Sequence, residues 1–67
     1  MLIAHHIDFL GLADRFPDHL GEWVVLVDGE PDSFWTDLGD AFDAFYALPD
    51  RSSAMVEKVA RDGDPVG

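Results

Sequence analysis

The chain has 67 residues, 48% of them apolar and 12% aromatic, with 14 aspartates and glutamates against 4 lysines and arginines. A formal charge of −10 and the lack of cysteine exclude a disulfide framework, a thiol nucleophile and a thiolate zinc site, and make nucleic acid and anionic membranes poor partners. Such a length supports one small domain, since about 60 residues bury only about 60% of their unfolded surface.

No apolar run reaches the roughly 20 residues of a membrane span. The start, Met1-Leu2-Ile3-Ala4-His5-His6, lacks the basic flank of a signal peptide. These features predict a soluble, cytoplasmic, single-domain chain over 1–67, with 61–67 as a frayed tail.

The first patterned stretch runs from His5 to Phe16. Ile7, Leu10, Ala13 and Phe16 recur at three-residue spacing and Phe9 and Leu12 widen the stripe, which predicts an amphipathic helix. Gly11 falls inside it, at a cost of about 1 kcal/mol against alanine. Pro17 ends it, and a turn over Asp18-His19-Leu20-Gly21 follows.

Glu22-Trp23-Val24-Val25-Leu26-Val27 is rich in β-branched and aromatic residues and apolar on both alternating faces, so it reads as a central strand. Asp28-Gly29 suits a tight hairpin, whose two turn residues both take positive φ. The return strand, Glu30 to Trp35, carries Pro31. Proline cannot donate to a ladder, so this strand belongs at an edge. Thr36 or Asp37 is the expected N-cap of a second helix that runs to Leu48 and stops at Pro49. On a helical wheel Leu38, Ala41, Phe42, Phe45 and Leu48 gather on one side, with Asp37, Asp40 and Asp43 opposite. From Ser53 to Val59, Met55, Glu57 and Val59 oppose Val56 and Lys58, as in a strand with a partly wet face. The order helix, strand, strand, helix, strand predicts an α+β domain: a small three-stranded antiparallel sheet covered on one face by two helices.

Phe16-Pro17, Gly21-Glu22-Trp23-Val24-Val25 and Val27-Asp28-Gly29-Glu30 resemble a family of short bacterial and archaeal proteins known only as a domain of unknown function. That family pairs a Tyr-Pro-Gly-Lys-Trp-Val style strand entry with an Asp-Gly-Glu hairpin. Asp40-Ala41 and Ala44 stand where it has a helix with spaced alanines, and Met55-Val56-Glu57-Lys58-Val59 where it has a closing strand. The resemblance spans residues 9 to 59. It implies the same element order and no activity. The chain departs from the pattern at Glu22, where lysine is usual, and at Pro31. By size and charge alone, the chain is also similar to phage-encoded inhibitors, among them anti-CRISPR proteins and other DNA mimics. That class shares no motif.

Little points to catalysis. Ser33, Ser52, Ser53 and Thr36 are the hydroxyl nucleophiles, and His5, His6 and His19 the bases, but no spacing marks a triad, which geometry alone would reveal. The serines read as local hydrogen bonders. No enzymatic activity, cofactor or metal is expected. His5 and His6 are adjacent, so on a helix they point about 100° apart and chelate poorly. Asp28-Gly29-Glu30-Pro31-Asp32 alternates acids as a calcium loop does, without the glycine position and distant glutamate of an EF-hand. Trp23 is expected in the core. Trp35, at a strand–helix junction, and Tyr46, at the margin of the helical stripe, are the aromatic candidates for anchoring a partner.

The acids are the strongest signal. Eleven are aspartate and three glutamate. Asp37, Asp40 and Asp43 rise about 4.5 Å per three residues of helix, comparable to the roughly 3.4 Å between charges along one DNA strand. Asp28, Glu30, Asp32 and Asp50 flank that helix in sequence. These seven form the candidate partner-binding face. The expectation is a monomeric, non-enzymatic, DNA-mimicking inhibitor. Its partner is a basic nucleic-acid-binding protein or complex, a CRISPR effector being the concrete case. Two alternatives fit the same bias: a salt-adapted housekeeping domain, and an antitoxin-like protein that binds through an apolar patch near Trp35 and Tyr46.

Overall fold

The computed structural model describes residues 5–64. Its centre is β1 (Trp23–Val27), flanked by β2 (Glu30–Trp35) and β3 (Ala54–Lys58), both antiparallel to it, in the order β2-β1-β3. The β-branched run thus takes the middle position its two apolar faces require. Val24, Val25 and Leu26 are all fully buried. Successive side chains of a strand point to opposite faces, so β1 is covered on both. Asp28 and Gly29 have φ of 54° and 79°, the left-handed pair that a two-residue hairpin needs. β2 is an edge strand, as Pro31 demands. Its ladder shifts register: Ser33 opposes Val25 and Pro31 opposes Leu26, which leaves Asp32 as the extra residue of a bulge.

The helix expected from His5 to Phe16 is reduced to one turn, α1 (Leu12–Arg15), followed by a 3-10 turn over Pro17–His19. The cause is Gly11. Its φ of 65° and ψ of 31° are left-handed, which starts a helix and does not continue one. Glycine has no side chain to cap with. Asp8 supplies the cap from further back, its Oδ1 accepting from Leu12 N at 2.8 Å and its Oδ2 from Ala13 N at 3.1 Å. The three-residue spacing upstream of Gly11 is therefore not helical, and it leaves Ile7 60% and Phe9 86% exposed. Downstream the pattern does pack. Leu12 joins Val24, Leu26 and Val59 in the core, with Phe16 and Phe34 against them. His19 lies flat on Phe34 at 3.8 Å, and Phe16 meets the same ring edge-on at 5.2 Å.

The second helix, α2 (Leu38–Tyr46), ends two residues before the expected Leu48. Asp37 is its N-cap, with Oδ2 accepting from Asp40 N at 3.3 Å. α2 packs against all three strands. Ala41 is fully buried there, and Leu38, Phe45 and Leu48 are half-buried. The result is the expected small α+β domain, a three-stranded antiparallel sheet with helices packed on it.

Residues 61–64 are not frayed. His6 N donates to Asp64 O at 2.7 Å, Gly63 N donates to His6 O at 3.0 Å, and Asp8 N donates to the Asp62 carboxylate. These bonds clasp the segment to the stretch before α1. The readings made for 1–4 and 65–67 lie outside the described residues. Among the described residues no helix is long and apolar enough to cross a membrane.

Candidate functional site

The seven candidate acids all lie on the surface. Asp28 sits at the hairpin tip, Glu30 and Asp32 on β2, Asp37 at the cap of α2, Asp40 and Asp43 along it, and Asp50 in the loop beyond. Their placement follows from the path of the chain. α2 starts next to Trp35, which pairs with Trp23 at one end of the sheet. The loop after α2 returns to the other end, where Asp28 N donates to Ser53 O at 3.0 Å. Asp50 is only three residues from Ser53, a reach of about 10 Å at most. Asp28, Glu30 and Asp50 therefore share the hairpin end, and Asp37 and Asp40 the Trp35 end. A six-residue strand is about 20 Å long, so the set runs along the molecule and does not converge on one point.

Asp37 departs from the sequence reading in one respect. Its carboxylate is turned onto the backbone of Asp40, so it caps the helix as well as charging it. Asp50 is also locally engaged. Its Oδ1 accepts from Ser52 N at 2.9 Å, and this backbone bond holds the carboxyl below the ordinary aspartate value.

What the carboxylates lack, among the described residues, is an ion-pair partner. Among the described residues the one basic-nitrogen–carboxylate contact within ion-pair distance joins His19 Nδ1 to Glu22 Oε1 at 3.2 Å, and it involves none of the seven. Three of the four lysines and arginines are engaged elsewhere. Arg15 donates to Gly29 O at 3.3 Å and lies 5.0 Å from the centre of the Phe16 ring. Arg51 donates to Tyr46 O at 3.0 Å and lies 5.3 Å over the Tyr46 ring. Lys58 sits 5.5 Å over Trp23. An exposed ion pair is worth about 0–1 kcal/mol and an exposed cation–π contact about 0.5–1 kcal/mol, so rings compete with carboxylates for these cations on equal terms. The field is not uniform along the set. Arg15, bonded at Gly29, stands beside Asp28 and Glu30, whereas α2 itself carries no basic residue.

The aromatic candidates differ from each other. Trp35 is half-buried and its Nε1 donates to Ser33 Oγ at 2.7 Å. Its cross-strand neighbour Trp23, expected in the core, is also only half-buried, with Lys58 over it. Tyr46 is open, at 62% exposure. Phe42, assigned to the buried stripe by its spacing, is 40% exposed and its ring centre is 6.3 Å from that of Tyr46. The signal was present in the wheel, since at about 100° per residue Phe42 lies at the stripe's margin on the side of Tyr46.

Other candidate chemistry is dispersed. His5 Nδ1 pairs with Gly63 O at 3.0 Å, and His19 is engaged with Glu22 and Phe34. Among the described residues no three histidines, aspartates or glutamates group so as to hold a metal ion. A small pocket lined by Ile7, Phe9, Leu10, Leu12, Glu57 and Lys58 includes none of the seven acids. Comparison with protein families, with curated proteins and with solved structures finds no match to the chain.

Proposed function

We propose that the chain is a non-enzymatic, acidic inhibitor that acts as a monomer. It docks the α2 and hairpin carboxylates on a basic, nucleic-acid-binding protein surface and excludes the nucleic acid by competition. The concrete case is an anti-CRISPR-like DNA mimic in the cytoplasm of a bacterial host, set against the channel of a CRISPR effector. One observation carries the reading: all seven carboxylates are exposed and, among the described residues, none has an ion-pair partner, while Arg15, Arg51 and Lys58 lie over rings. Unneutralised charge of this kind steers association and makes it salt-sensitive. Asp37, Asp40 and Asp43 lead, because α2 has no basic residue of its own and Arg51 reaches only its C-terminal end, with Asp28, Glu30, Asp32 and Asp50 in support and Trp35 or Tyr46 as the aromatic anchor.

The test is displacement of a labelled target duplex from a CRISPR effector complex, at rising salt. Displacement should weaken steeply as salt rises. The combined variant Asp37→Asn, Asp40→Asn, Asp43→Asn should stay folded and displace poorly. Displacement indifferent to both salt and these changes would remove the electrostatic mechanism, and no displacement at any salt would remove the CRISPR case.

A second reading draws on the same unpaired carboxylates. In a salt-adapted housekeeping domain they would repel one another until screened. That reading requires the fold to be lost near zero salt. A folded monomer there, seen by circular dichroism and size exclusion, eliminates it.

A further inference from the structure

We infer that the Phe42–Tyr46 side of α2 is a receptor for an arginine side chain of the partner. The inference rests on the acidic-docking reading and supplies the contact that a purely electrostatic surface would lack. Phe42 and Tyr46 are one turn apart on the same helix, 40% and 62% exposed, with ring planes only 27° apart. Tyr46 is held from behind by Phe45, whose ring meets it edge-on at 5.3 Å. A helical side chain leans over the turn that precedes it. For Phe42 that turn contains Gly39 and Leu38, and Gly39 has no side chain to cover the ring.

Two features select what binds there. The first is charge: Asp43 stands three residues before Tyr46, about 60° from it around the helix, with Asp50 past the helix end, and α2 has no basic residue of its own. An incoming group is therefore a cation. The second is Arg51, which already lies over the Tyr46 ring while donating to its carbonyl. The protein thus fills part of this surface with its own guanidinium. A planar guanidinium stacks on a ring and still donates in plane to neighbouring carboxylates, whereas an ammonium is a compact, strongly hydrated point charge. The partner chemistry that fits is an arginine-bearing segment, and lysine fits less well.

The probes are two labelled peptides of equal length, one all arginine and one all lysine, titrated into the full chain at low salt with anisotropy as the readout. The arginine peptide should bind more tightly. Phe42→Leu and Tyr46→Leu, which keep apolar bulk but remove the ring, should each weaken the arginine peptide by about two- to five-fold and weaken the lysine peptide by less. Tyr46→Phe, with its ring intact, should bind as the parent does. Arg51→Lys, which conserves net charge, should strengthen arginine-peptide binding by a similar factor. Equal affinity for the two peptides, with no effect of either leucine variant, overturns the inference and leaves acidic docking standing. Failure of both peptides to bind overturns both.

Discussion

Gly11→Ala separates the fold described here from the one its sequence pattern suggests, because the two assign opposite signs to the same change. With φ at 65°, a residue bearing a Cβ is strained by about 1–2 kcal/mol. Beyond the adjacent residues no atom lies within 4 Å of where that Cβ would stand, so the cost is conformational and packing neighbours cannot relieve it. Restricting the unfolded chain returns about 0.4–1 kcal/mol. The net loss is about 1 kcal/mol, which for a domain of this size lowers the melting temperature by about 4–8 °C. If Gly11 lay inside a continuous helix from His5 to Phe16, alanine would instead gain about 1 kcal/mol and raise the melting temperature by a similar amount. Thermal unfolding followed by far-ultraviolet circular dichroism reads the sign directly. Gly11→Asn is the companion, and it should fall less than alanine because asparagine enters the left-handed region more readily. A higher melting temperature for Gly11→Ala would refute the assignment of Gly11 as a helix start.

At the cap of α2, Asp37→Ala removes the oxygen that accepts from Asp40 N and should cost about 1 kcal/mol in urea unfolding. Asp37→Asn keeps an acceptor and should cost clearly less; equal losses would mean that the cap bond contributes nothing. This is also why asparagine is the right replacement in the binding test, since alanine would mix lost charge with a weakened helix. Asp50 should titrate below the ordinary aspartate value of 3.8, because the Ser52 backbone N–H stabilises its charged form. The sign follows from linkage: with a depressed folded pKa, the contribution is complete above the unfolded value and disappears as pH falls through the folded one. Carboxyl carbon shifts across the acid range measure the midpoint, and a value at or above 3.8 would contradict the bond to Ser52.

Where the sequence predicted well, a single local cause dominated. β1 is legible because Trp23 to Val27 is apolar on both alternating faces, and a strand so built has nowhere to sit but the middle. Asp28-Gly29 is legible because few pairs accept positive φ twice. α2 carries a cap, a stripe and a stop that agree. The stretch before Gly11 was misread because periodicity counts residue types and not backbone φ. Ile7, Phe9 and Leu10 satisfy a helical spacing without being helical. The clasp of Asp62 and Asp64 onto Asp8 and His6 joins residues more than fifty apart in sequence, and no local pattern encodes such a contact. For the candidate surface, the exposure of Asp37, Asp40 and Asp43 was legible from their position opposite the apolar stripe of α2. The fate of the cations was not, since Arg51 over Tyr46 and Lys58 over Trp23 depend on loop return and strand register.

The bulge in β2 has a consequence for behaviour at high concentration. An open sheet margin invites neighbouring molecules to add strands and grow into fibres. Here Pro31 withholds a donor, Asp32 interrupts the repeat, and Glu30 and Asp32 place like charges along the margin. A second molecule approaching that side meets repulsion and a broken template, so crowding should not drive strand addition at the β2 margin.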